Sequence, residues 1–261
     1  MPAIVISPLR FGSLLFAIGC AGGCSFSISA LPPSPDLAVA VLPLPDLANP
    51  PPIPDAAENN PPPPDLQVVY TGTLVLTPTN LVSQQEVMLT PQGTRDWAHW
   101  GYTVATDVDR KVGGASQIGN YTVVGTGTPT LYTDNLVGYN WTDGMPHPTS
   151  GGAQTSGVYL TALNSGFHLA VPAATTRRTL LLYVGGYHSI GRLGLLLSDA
   201  SAAAISTDGF GNMSSKYTVQ FRIDFAAGTP GQTLDITWVQ QSGDAAGNVT
   251  LQAAALADAM Q

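Results

Sequence analysis

Cysteine is almost missing from this chain: of 261 residues only Cys20 and Cys24 carry a thiol, both near the amino terminus. The remainder can form no disulfide, and thiol catalysis is excluded there. Charge is scarce as well, at 10% of residues, where ordinary soluble domains carry roughly a quarter. Nine Lys and Arg stand against 17 Asp and Glu, a net charge of -8. The adjacent basic pairs are Arg110-Lys111 and Arg177-Arg178. Nucleic acid and anionic lipid headgroups need clustered cations, so neither is an expected partner. Glutamate occurs only at Glu58 and Glu86. A glycosidase pair of carboxylates would therefore fall to aspartates, and nothing marks two of Asp96, Asp107, Asp109, Asp134, Asp143 and Asp199 as partners. There is no Gly-x-Ser-x-Gly elbow and no His-Glu-x-x-His helix. His99, His147, His168 and His188 are scattered in sequence. The chain is expected not to be an enzyme.

Turn formers and apolar residues fill the space that charge leaves, with 28 Gly, 22 Pro and 44% hydrophobic residues. Arg10, the apolar run 11–18 and the small residues from Gly19 to Cys24 form a secretory signal layout, too short for a permanent bilayer span. Ala17-Ile18-Gly19-Cys20 resembles the lipobox of bacterial lipoproteins, which implies a signal peptide over 1–19 and acylation at Cys20. Cys24, after Ala21-Gly22-Gly23, is the alternative, and ordinary cleavage after Ser29 is a third reading. The resemblance implies a secreted protein held by lipid at the bacterial cell envelope, at the outer membrane or cell surface. Residues 20–66 are rich in proline, and Pro-Asp-Leu recurs at 35–37, 45–47 and 64–66. Proline removes backbone donors, so this stretch is expected to be a disordered, extended linker.

From Gln67 the pattern has period two. Tyr217, Val219, Phe221, Ile223 and Phe225 alternate with polar residues, as do Leu234, Ile236 and Trp238, then Val249, Leu251 and Ala253. Phe167, Leu169 and Val171 bracket an outward His168. Alternation gives each strand one buried and one wet side. The run 180–184 is apolar throughout, as a central strand covered on both faces requires. Turn signals at Gly185-Gly186, Asp208-Gly209, 228–231 and 243–247 separate these runs. The expected fold is all-β: one antiparallel β-sandwich of jelly-roll type over 67–261, with an initial hairpin (67–90) packed on it.

Residues 93–101, Gly-Thr-Arg-Asp-Trp-Ala-His-Trp-Gly, resemble the "DWAHWG" signature of a bacterial extracellular module. Further blocks in matching order include 121–125, 139–144, 179–185 and 247–253, so the likeness spans nearly all of 85–256. Such modules are similar to galactose-binding-like jelly rolls that accompany secreted carbohydrate-active enzymes. The resemblance implies a carbohydrate-binding-like module, for which glycan is the expected partner. Members of the family often read Leu-Ser-Asp-Gly-Ser-Ala where this chain has Asp199-Ala200-Ser201-Ala202, which loses a turn glycine.

A sugar site on a sandwich uses aromatic rings against the sugar's C–H face and planar polar groups for its hydroxyls. Trp97, His99 and Trp100 form one candidate cluster; Tyr139, Trp141 and Asp143 form a second, with His188 beside Tyr187. An extended backbone would send Trp97 and His99 to one face and Trp100 to the other. The alternative for all these aromatics is core area. No cofactor is expected, although loop carboxylates such as Asp107 and Asp109 could hold a structural calcium. The competing function is a purely structural lipoprotein, or one whose sandwich mediates protein–protein contacts.

Overall fold

The structure, a computed structural model, describes residues 71–259. The leader, Cys20 and Cys24, the proline-rich linker and residues 67–70 lie outside the described residues. In chain order the short strands are β1 (Thr73–Asn80), β2 (Glu86–Met88), β3 (Asp96–Trp100), β4 (Val108–Lys111) and β5 (Thr122–Val124). Then come β6 (Thr130–Tyr132), β7 (Gly138–Asn140), β8 (Gly144–Met145), β9 (Gly157–Thr161) and β10 (Gly166–Ala173). Three long strands close the chain: β11 (Arg178–Leu197), β12 (Ile205–Ala226) and β13 (Gln232–Asp258). One helical turn, α1 (Leu89–Gln92), precedes β3.

The fold is an all-β antiparallel sandwich, and its two layers share the three long strands. The first half of β11 pairs with the second halves of β12 and β13; its second half pairs with their first halves. β1 edges the first layer beside β12, and β3, β4 and β8 extend it beyond β13. The second layer continues from β13 through β10 to β5. Between them lie Phe167, Leu169, Leu195, Ile236 and Trp238 from one side and Leu180, Leu182, Phe221, Ile223 and Leu251 from the other, none more than 2% exposed. The period-two pattern decides which residues these are.

Three expectations need correction. Residues 71–90 form no hairpin, since β1 pairs with β12 far along the chain and β2 pairs in parallel with β7. A two-sided apolar sheet recruits whichever strand covers its edge, and local sequence does not decide that. Gly185-Gly186, Asp208-Gly209 and 243–247 are not turns between strands; they lie inside β11, β12 and β13, where these cross from layer to layer. At Gly186, and again at Gly191 further along β11, glycine is needed for close approach: a Cβ on Gly191 would sit 2.1 Å from the Trp238 ring, and one on Gly186 2.4 Å from the Asn248 oxygen. Only 228–231 makes the turn expected of it. Finally, Val249, Leu251 and Ala253 do not share a face. Tyr183 pairs with Ala253 and Val184 with Leu251, so Gln252 is an extra residue that reverses the alternation. Val249 and Leu251 point into the sandwich; Ala253 and Ala255 point out of it.

That outer face is also buried. Trp97, Tyr183, Ala253 and Ala255 are covered by Leu81, Val87, Leu89, Val137, Tyr139 and Trp141. β3 is extended and buried at every position, with Ala98 and Trp100 in the sandwich core and Trp97 on the covered outer face. His99 is fully buried, and neither ring nitrogen has a hydrogen-bond partner. Its rings of contact are Trp141 at 5.1 Å and Tyr139 at 5.8 Å. Burial pushes its pKa from 6.5 down to about 4.

Two outcomes follow from this packing. His99 stays neutral in the folded chain while an unfolded histidine protonates near 6.5. Its contribution to stability is whole above that pH and is lost as pH falls toward 4, amounting to roughly 3 kcal/mol. Chemical denaturation from pH 7 to 4 should therefore show a steeper loss in the wild type than in His99→Gln; parallel profiles would contradict a neutral buried imidazole. Ala200 stands at φ +51°, in the left-handed region, at the position of the lost turn glycine. Ala200→Gly should raise the unfolding free energy by roughly 0.5–1 kcal/mol in urea titration, because the strain outweighs glycine's extra freedom when unfolded.

Candidate functional site

The cover on the outer face ends partway along β11. Tyr183 lies beneath it, but Tyr187, two same-face positions further on, lines an open cleft of about 410 Å³. Clefts for small ligands span roughly 300–1,000 Å³. Tyr187 stands directly opposite Lys216 on β12 and Asn248 on β13, so these three side chains share a face. Thr250 and Tyr159 are partners in the β13–β9 register and continue the floor. The far wall comes from the end of β6 and the loop after it, with Tyr132, Asp134 and Asn135. The Tyr132 and Tyr159 rings meet edge to face at 6.4 Å. Tyr217 completes four tyrosines around one opening.

Hydrogen bonds tie this wall to the sheet. Thr218 Oγ1 donates to Asn135 Oδ1 at 2.8 Å. Lys216 Nζ donates to the backbone oxygen of Asp134 at 3.0 Å and also to its carboxylate. Tyr132 accepts a bond from Gln252 Nε2, the side chain of the bulge residue. Burial raises the Tyr132 hydroxyl well above its ordinary range and pushes Tyr217 up to about 12. Both phenols are therefore neutral donors at physiological pH. His188 sits at a register break between Tyr187 and Ser189, opposite the extra residues 213–215 of β12 and 244–247 of β13, with φ +46°. Its imidazole stacks on the Tyr187 ring at 3.9 Å, and its Nδ1 lies 2.8 Å from Asp244 Oδ2. That bond, ahead of one from the Ala246 backbone, holds Asp244 below the usual carboxylate range.

The residues singled out in the sequence distribute differently. Trp97, His99, Tyr139, Trp141 and Asp143 do converge, but inside the covered cluster. Trp97 and Trp141 lie 5.3 Å apart, and the four aromatic rings among the five are at most 1% exposed. Their polar handles are spent internally: Trp97 Nε1 donates to Asp143 Oδ1 at 2.8 Å and Trp141 Nε1 to the His147 carbonyl at 2.9 Å. Trp100, on the opposite side of β3, is equally buried and donates to Asn120 Oδ1 at 2.8 Å. The expectation of a sugar platform on these rings is corrected, because none offers a face to solvent. Asp143 is half-buried; burial pushes its carboxyl up, but Lys111, Thr90 and Trp97 outweigh that and hold it low. His188 alone of the seven borders the cleft, through Tyr187.

Sequence reading missed Tyr132, Tyr159, Tyr217, Lys216 and Asn248. They come from four strands and gather only through long-range register, which no local pattern carries. The proposed calcium carboxylates are also occupied: Asp107 accepts from the Thr103 and Val104 backbone, whereas Asp109 is buried against the His147 ring at 2.9 Å. Among the described residues no group of three or more His, Cys, Asp or Glu is arranged to hold a metal.

No protein-family description matches the chain, and no curated protein matches it. Solved structures give three distant likenesses. The carbohydrate-binding module TmCBM61 in complex with β-1,4-galactotriose is 11% identical, with 56% of this chain and 92% of that one covered and a TM-score of 0.34. The enzymatically active domain of a tailspike protein from bacteriophage CBA120 is 10% identical at a TM-score of 0.33, over 54% of this chain and 20% of that one. The carbohydrate-binding module CBM36 in complex with calcium and xylotriose is 11% identical at 0.28, over 53% and 99%. Likenesses this faint say nothing about a ligand.

Proposed function

We propose that the tyrosine-lined cleft is a glycan-binding site and that the domain is a non-catalytic carbohydrate-binding module displayed at the bacterial envelope. The observation that carries this reading is the chemistry of the lining. Four phenol rings supply flat apolar faces for a sugar's C–H groups, while Asn248 and Thr250 supply amide and hydroxyl groups for its hydroxyls. Ligand sites of this kind combine aromatic walls with a few placed polar groups. Catalysis is disfavoured by the same list. Asp134 is the one carboxylate in the lining and is engaged by Lys216, whereas glycoside hydrolysis needs two carboxyl groups about 5 to 9 Å apart.

The test is glycan-array screening of the wild-type chain followed by calorimetry on the best ligand. Tyr187→Ala and Tyr159→Ala should each weaken binding about tenfold, the loss of one stacked ring. Both rings are only partly buried, so thermal unfolding should move little. Undiminished affinity in both variants would remove the cleft from consideration, and a wild type silent on every glycan would favour a structural or protein-contact role.

The display half of the reading rests on the amino-terminal sequence. The Ala17-to-Cys20 lipobox and the proline-rich stretch are the features expected of a lipid anchor and spacer. Intact-mass analysis of the native product should give a chain beginning at an acylated Cys20. An unmodified chain beginning at Ala30 would replace the anchor with free secretion.

A further inference from the structure

We propose that the cleft selects uncharged glycans, and that Asp134 enforces the selection by occupying Lys216. The inference rests on the glycan reading above and adds the class of sugar. Lys216 is the single cation in the lining. Unpartnered, it would attract a uronic acid carboxylate or a sugar sulfate, since an ammonium group is a strong anion donor. It is not unpartnered: its Nζ bonds both the carboxylate and the backbone oxygen of Asp134, which turns the wall loop toward the sheet. The two side chains remain 37% and 67% exposed, so the pair adds little to stability. What it changes is the field in the cleft. An acidic sugar reaching for Lys216 meets the Asp134 carboxylate beside it, and like charges at such range repel.

The surroundings act in the same direction. Asp244 is bonded to His188, whose ring stacks on the lining residue Tyr187. The chain as a whole carries a net charge of -8, which disfavours the approach of a polyanion. Every other lining side chain is a phenol, an amide or an alcohol. Such groups exchange hydrogen bonds with neutral hydroxyls and carry no charge of their own.

The experiment compares the full chain with Asp134→Asn on a panel of neutral, uronic acid and sulfated glycans at low ionic strength. The wild type should retain neutral glycans and pass acidic ones. Asp134→Asn frees Lys216 and should gain about tenfold or more for acidic glycans. The gain should disappear near 0.5 M salt, about the range where exposed charges are screened, and in the double variant Asp134→Asn with Lys216→Gln. Circular dichroism melting checks that each variant is folded. A wild type that binds acidic glycans as well as neutral ones overturns the selection and leaves the glycan reading standing. A folded Asp134→Asn without the gain removes Asp134 from the role. Silence of wild type and variant toward every glycan overturns both readings together.

Discussion

Both faces of the first layer must be kept from water, and the rest of the molecule is arranged to do this. β11 is apolar on both sides over 180–184 and runs between β12 and β13. One side closes against the second layer by the bending of three long strands. The other cannot be closed by a sheet, because the strands that would form one are already shared. Two stretches between β1 and β10, residues 81–89 and 137–141, therefore fold over it as short strands, a helical turn and loops, placing Leu89, Val137, Tyr139 and Trp141 on the outer face. This cover explains why so large a part of the domain, from 81 to 156, contains little regular structure yet buries its largest side chains. It is a second core in irregular form.

The cleft exists because the cover stops. Along one face of β11, Tyr183 is sealed and Tyr187 is not. The loop that would extend the seal instead stands off as a wall, held by Asn135 to Thr218 and by Asp134 to Lys216. The same interactions that end the core form the rim of the opening.

Much of the layering was legible from alternation alone. Phe167, Leu169, Val171, Phe221, Ile223, Leu234 and Ile236 all point where period two sends them, and Trp97 and Trp100 separate to opposite faces as an extended strand demands. Glycine misled. Gly185-Gly186 and Gly243 to Gly247 look like turns because glycine permits turns, but here its lack of a side chain permits strands to cross at contact distance. The most distinctive motif misled too. An aromatic block such as 97–100 has the composition of a sugar platform and of a core alike, and only the cover contributed by residues forty positions later decides between them. Apart from Tyr187, which stands beside His188 in sequence, the tyrosines of the cleft had no sequence signal, since Tyr132, Tyr159 and Tyr217 join it only when the register of four strands is known.

Register is also where fold and site meet. A bulge inserts one residue, and the inserted side chain is freed from alternation. This sheet has one such residue beside the cleft, Gln252, and a second register break at His188, where the extra residues belong to β12 and β13. Gln252 reverses the facing of β13, which brings Ala253 and Ala255 under the cover, and its amide reaches Tyr132 and Thr250. His188 takes a left-handed backbone conformation that ordinary strand residues avoid, and from there lays its ring on Tyr187. Each irregularity thus orients one phenol of the opening. A regular ladder would keep these side chains in strict alternation, either sealed beneath the cover or turned into the sandwich. The departures from regular pairing therefore convert a buried sheet face into a shaped aromatic surface, and the strain at His188 is tolerated where that surface needs it.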